Sequence, residues 1–178
     1  MSDAARFEAF VREYQDMVFA TAVRLLGREA DAEDVAQTVF MRAFERFTDI
    51  GASPSAAGWL KTVTTNLCLN HLSRYRARWR FFSEMETARD EPALSARLAL
   101  MAAAPAELER AERTERLERA LRQLPDHQRV PLVLLHFEDM SYQAIAEALR
   151  VSVAKVRSDI HRGREALKKE LTITDGFR

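Results

Sequence analysis

Residues 141–169 constrain this chain most, because they read as two helices meeting across a three-residue turn. Ser141 stands just before the run Tyr142–Leu149, and Ser152 just before a longer run to Lys169. Each serine sits where an N-cap hydroxyl can take up an orphan N–H. Ala146 is the small residue needed where such helices cross closely, and Ile145, Leu149, Val151, Val156 and Ile160 supply the buried side. That leaves Ala154, Lys155, Arg157, Ser158, His161 and Arg162 on or near the outer face of the second helix, behind its cap Ser152. The first turns of such a helix normally enter the major groove of DNA, and basic side chains further along meet phosphates. Lys155 and Arg157 are therefore candidates for base or phosphate contact, with Arg162, Arg164 and Lys168 for phosphates. The competing reading is a solvated basic helix within a bundle.

The remainder is helical as well. Five glycines, five prolines and the lack of alternating Val/Ile/Thr runs give a sheet little support, so the predicted fold class is all-α. A length of 178 residues admits two small domains. Periodicity divides the chain into a helical bundle over 1–80, a flexible linker over 81–112 with Pro92 and Pro105 in it, and the helix-turn-helix domain over 113–178. In the first block Phe7, Phe10, Val11, Tyr14 and Val18 line one face of a helix over 3–26 that Gly27 stops. Asp31 is the predicted N-cap of a second helix over 32–47 that buries Val35, Val39, Ala43 and Phe47. Asp49 to Pro54 reads as a loop, and Ser55 as the cap of a third helix reaching Arg78. In the last block Leu117, Leu121 and Leu124 line a helix ended by Pro125. Pro131 falls inside the apolar run Val130–Phe137, where it predicts a late start or a kink.

A net charge of zero hides segregation. Residues 1–58 carry a net −4, residues 59–80 a net +5 with no acid, residues 81–120 a net −3 and residues 121–178 a net +2. Such blocks suit one acidic protein-docking surface and at least one nucleic-acid surface. On the second helix, Asp34, Gln37, Thr38, Met41 and Glu45 share the face opposite the core. A methionine among acids and amides there suggests a docking surface, against the plainer reading of a polar helix face. In the basic block Thr62, Asn66, Asn70 and Arg74 recur on one stripe among Trp59, Tyr75 and Trp79. Rings, amides and arginines suit unstacked bases, although arginines also favour helix C-termini for dipole reasons alone.

A single cysteine, Cys68, excludes an internal disulfide, and the absence of a signal-peptide pattern or a long apolar run predicts a cytoplasmic protein without membrane insertion. His71, His127, His136 and His161 have no ligand spacing with Cys68, and no catalytic constellation is visible, so neither metal, cofactor nor enzymatic activity is expected.

The two modules, in this order, resemble the bacterial σ factors of the extracytoplasmic-function group over about residues 6–80 and 113–171. The matching stretches are Asp31–Phe40, Gly58-Trp59-Leu60 through Asn66, and Asn70-His71-Leu72 in region 2. In region 4 they are Leu124-Pro125, Arg129, Ser141-Tyr142, Ile145-Ala146-Glu147, Val156-Arg157-Ser158, His161-Arg162 and Arg164. The resemblance implies a transcription initiation factor that binds core RNA polymerase and promoter DNA. It implies that Asp34, Gln37, Thr38 and Met41 dock the β′ clamp helices, with the β subunit also contacted. It implies that Asn66 holds a base flipped from the −10 element, that Thr48, Asp49 and Ile50 shape that pocket, and that Asn70 and Arg74 flank the strand. Ser152, Lys155, Arg157, Ser158, His161 and Arg162 are implied to read the −35 duplex. The family is commonly restrained by an anti-σ factor, which is expected here, as is a monomer when free.

The sequence departs from the family pattern at four places. Arg150 replaces the turn glycine, so a side-chain-bearing residue is predicted at positive φ. Ala154-Lys155 replaces Gly-Thr at the start of the recognition helix. Asp159 stands where a basic residue is common, which predicts one lost phosphate or base contact and an altered sequence preference; Thr62 stands at another such place, which weakens the single-strand surface slightly. Two alternatives remain open at this point: a σ-like mimic that sequesters an anti-σ factor, and a stand-alone helix-turn-helix regulator.

Overall fold

The computed structural model describes residues 3–73 and 107–175, and these are helical wherever they are regular. The chain divides into two compact units between Arg74 and Tyr75. The first holds α1 (Asp3–Leu26), α2 (Glu29–Glu45), α3 (Phe47–Ile50) and α4 (Ala56–Leu72). The second holds α5 (Glu107–Gln123), α6 (Asp126–His136), α7 (Tyr142–Leu149) and α8 (Val153–Asp175). The expected linker therefore loses residues 107–112 to α5, while 81–106 lie outside the described residues.

In the first unit α1, α2 and α4 pack on one another. The core is built from Val18, Ala22, Leu25, Ala32, Val39, Ala43, Leu60 and Cys68, all fully buried. Gly27 ends α1 as predicted, at φ 73°, a left-handed conformation that costs glycine nothing. Arg28 is then extended and α2 begins at Glu29, three residues before the expected start. Asp31 is consequently not the cap. It lies in the first turn, where its charge suits the helix dipole, with one carboxylate oxygen 3.6 Å from His71 Nε2 on α4.

Between α2 and α4 the expected loop is partly helical. Phe47 packs edge-on against Phe7 and Phe10, with ring centroids 5.1 and 5.5 Å apart, and Ile50 is buried. Those contacts fold Phe47–Ile50 into one helical turn, so Phe47 belongs to α3 and not to the buried stripe of α2. Gly51 follows because nothing larger fits. A Cβ there would stand 2.5 Å from the Phe47 ring and 2.7 Å from its carbonyl oxygen. Ser55 precedes α4 but does not cap it; its hydroxyl is hydrogen-bonded to that of Ser53 at 2.8 Å. The expected reach of this helix to Arg78 lies outside the described residues beyond Ser73.

In the second unit α8 packs against α5, α6 and α7. Pro125 separates α5 from α6 and serves as the N-cap position of α6. Arg129, buried, donates to the Leu124 carbonyl at 2.8 Å and to Asp126 Oδ1 at 2.6 Å, which fastens the end of one helix to the start of the next. Contrary to the sequence reading, α6 starts early, at Asp126, and runs across Pro131 to His136. Burial of Val130, Leu132, Val133 and Leu134 on both sides of the proline offsets its missing hydrogen bond. Gly163 of α8 allows close approach to this helix, since a Cβ would meet Leu132 Cδ1 at 3.0 Å and the Gln128 carbonyl at 3.2 Å.

Both predicted caps of the helix-turn-helix are present. The Ala144 N–H donates to Ser141 Oγ and the Lys155 N–H to Ser152 Oγ, each at 3.1 Å. Arg150 takes the left-handed conformation, φ 56° and ψ 45°, as the missing glycine predicts. Its N–H and that of Val151 close the end of α7 on the carbonyls of Glu147 and Ala146.

Three outcomes test this account. Arg150→Gly relieves a left-handed side-chain residue and should raise the stability of the second unit by about 0.5–1 kcal/mol, read from the urea midpoint. Gly51→Ala should lower the stability of the first unit by about 1–3 kcal/mol, with a changed near-ultraviolet signal from the displaced phenylalanines. Burial, aided by Arg164, lowers the pKa of His136, and burial lowers that of His127 against the pull of Asp159. A lowered histidine pKa stabilises above the unfolded value of about 6.5, so stability of this unit should fall as pH drops below that point. A midpoint that rises between pH 7 and 5.5 would contradict the assignment.

Candidate functional site

Among the described residues, three surfaces outside the cores match the sequence-predicted sites. The first is the outer face of α2. Burial of Val35, Val39 and Ala43 turns Asp34, Gln37 and Met41 outward, and Met41 is 67% exposed. Thr38 shares the face but is half-buried, and its hydroxyl donates to the Asp34 carbonyl at 2.9 Å. Sequence reasoning missed Phe44, which is 61% exposed and stands one turn after Met41 on the same stripe; helical spacing could have found it. The expected core residues Phe7 and Val11 are only half-buried. With Phe19, Phe40, Met41 and Phe44 they line a groove between α1 and α2, edged by Asp16, Glu33 and Glu45. An apolar groove with an acidic edge can take an apolar protein surface flanked by cations.

The second surface is a stripe on α4. Leu60, Thr64, Cys68 and Leu72 face the core, which leaves Thr62, Asn66 and Asn70 exposed at steps of four. Exposed side-chain amides, each with two donors and an acceptor, can pair with base edges. Arg74, expected to continue the stripe, lies outside the described residues. Of the residues expected to shape the adjoining pocket, Thr48 and Asp49 are exposed on α3. Ile50 is not: it is a core residue, and its placement on the surface is corrected, because the helical turn of α3 carries its side chain into the interior of the unit.

The third is α8. Ser152, Ala154 and Arg157 are exposed, and His161 and Arg162 are half-exposed. The Arg157 guanidinium lies over the ring of Tyr142, 5.6 Å from its centroid, a contact that sequence spacing gave no way to foresee. Two placements are corrected. Lys155 and Ser158 are buried, because α8 is enclosed by three helices rather than one. Lys155 Nζ donates to Asp159 Oδ1 at 2.5 Å, with side-chain exposures of 8% and 7%. Burial raises the pKa of Asp159, opposed by its hydrogen bond and charge interaction with Lys155. Arg164, expected on phosphates, is half-buried and donates to His136 Nε2 at 3.1 Å. No group of three or more metal-ligating side chains occurs among the described residues, and no described helix is long and apolar enough to cross a membrane.

Comparison with known proteins bears on both units. Residues 10–79 match sigma-70 region 2, and residues 114–167 match sigma-70 region 4. RNA polymerase sigma-H factor of Pseudomonas aeruginosa is 31% identical over 95% of this chain and 88% of its own length. RNA polymerase sigma-E factor of Streptomyces coelicolor is 30% identical over 98% and 91%. The ECF RNA polymerase sigma factor SigW of Bacillus subtilis is 29% identical over 95% and 90%. A solved complex of the sigma factor RpoE with the anti-sigma factor NepR from Bartonella quintana shares 18% identity at a TM-score of 0.48, too slight a likeness to bear on this chain's partners. The chain belongs to the extracytoplasmic-function σ factors, non-enzymatic initiation factors that direct core RNA polymerase to specific promoters.

Proposed function

We propose that the first unit docks core polymerase and reads the −10 element, and that the second reads the −35 element as duplex. The observation that carries the docking assignment is the exposure of Met41 among Asp34, Gln37 and Thr38, on a helix whose opposite side closes the core. This face meets the clamp helices of the β′ subunit, the β subunit being contacted as well. Asn66 holds a base flipped out of the duplex, Asn70 and Arg74 flank the strand, and Thr48 and Asp49 border the pocket. Unstacking costs a few kcal/mol, offset by hydrogen bonding and stacking within the pocket.

On the duplex side, Arg157 is the main reader, with Ser152, His161 and Arg162 holding phosphates. Arg157 stacked on Tyr142 is pre-oriented, and a bidentate arginine favours guanine through O6 and N7. Lys155, Ser158 and Ile50 are left out of the DNA contacts because they are buried. The protein works in the cytoplasm as a monomer when free, and an anti-σ factor holds it inactive by covering the docking face.

Transcription in vitro with purified core polymerase and a genomic fragment library tests the assignment. The wild-type chain should yield defined transcripts, and Asp34→Arg should abolish them together with core retention. Asn66→Ala should reduce or retarget them, by about 1–3 kcal/mol of lost base recognition. Unchanged core retention in Asp34→Arg would sink the docking face.

A further inference from the structure

Neither polymerase docking nor the reading of DNA by Arg157 accounts for the pair Lys155–Asp159. Both side chains come from one helix, four residues apart, and both are almost fully shielded from water. Burying two charges carries a desolvation penalty that their attraction repays only in good geometry. Their order is also the less favourable one. The cation stands in the first turn of α8 and the acid one turn later, opposite to what the helix dipole prefers. A pair selected only to stabilise this helix would have the reverse order, or an apolar pair in its place.

Position supplies the missing reason. Lys155 follows the exposed Ala154 in the first turn, the part of a recognition helix that lies deepest in the major groove. Asp159 draws its ammonium the other way, toward the enclosed flank of α8, where His127 of α6 feels both charges. The exposed first turn thus presents the Ser152 hydroxyl and the Ala154 methyl but no cation, and Arg157 is the first basic group along the exposed stripe.

Resting on the reading of α8 as the −35 reader, we propose that Asp159 is a positioning residue that holds the Lys155 ammonium inside the domain and away from DNA. The pair thereby sets sequence choice: it withholds a phosphate- or guanine-seeking group from the first turn and leaves discrimination to Arg157. The sequence departures at 155 and 159 are then one internal device, and Asp159 is more than a lost contact.

The test uses holoenzyme reconstituted from core polymerase and the full chain. The probe is a pool of duplexes with a randomised upstream segment and a mismatched, pre-opened downstream segment, which removes strand opening from the measurement. Asp159→Asn keeps the side-chain volume and removes the countercharge that holds Lys155; the shorter Asp159→Ser also withdraws the carboxylate acceptor and is a second release variant should the first lose helicity or still hold the ammonium. Release should steepen the slope of log affinity against log salt by about 0.9, the value of one added phosphate contact, and alter the enriched upstream sequences. Lys155→Met combined with Asp159→Asn should return both to the wild-type result. A steepened slope that survives in the double variant would overturn the proposal, because loss of the acid alone would then account for it. So would an unchanged slope in both release variants while Arg157→Ala still loses sequence enrichment. If Arg157→Ala enriches the same sequences as wild type, the duplex-reading assignment of α8 falls first, and the pair with it.

Discussion

Each unit of this protein is small, and a small unit buries a core only if every helix surrenders one whole face to it. In the first unit α1, α2 and α4 spend Val18, Leu25, Val39, Leu60 and Cys68 on that requirement; in the second, α8 spends Val156, Ile160 and Leu167. What lies opposite those stripes is all the surface the helices have left. On the described helices the exposed rows opposite the core are narrow, so one inward turn of a side chain decides whether it can meet a partner at all.

The rows differ in chemistry, as their proposed partners differ in state. The α2 face combines acids with exposed Met41 and Phe44, a mixture that favours protein over phosphate. The α4 row offers hydroxyl and amide groups of Thr62, Asn66 and Asn70, which can pair with bases but add no charge of their own. The α8 row offers Arg157 held by an aromatic ring and, behind it, a lysine neutralised by its own helix. A division of labour fits the proposed roles: polymerase supplies catalysis, and this chain directs it to specific promoters.

Much of this was legible before any coordinates. Caps at Ser141 and Ser152, the stop at Gly27 and the left-handed Arg150 are local: each depends on a few adjacent residues whose preferences point one way. The α4 row was legible because a single helical period fixes it. Most of what failed depended on tertiary enclosure. Lys155 and Ser158 look outward on a helical wheel, but three neighbours cover α8 where the wheel assumes one. Ile50 and the turn of α3 follow from Phe47 meeting Phe7 and Phe10, residues far back in the chain that periodicity cannot connect. Asp31 failed as a cap because Arg28, extended after Gly27, let α2 start sooner.

The central claim is that two rows on two units read DNA in two different states. Photo-crosslinking groups placed singly at Asn66 and at Arg157 in the polymerase–promoter complex test it most directly. The account predicts crosslinks from 157 to upstream duplex whether or not the promoter has opened, and from 66 to the downstream non-template strand only after opening. Crosslinks from both positions to the same segment, or from 66 to closed duplex with equal yield, would contradict it.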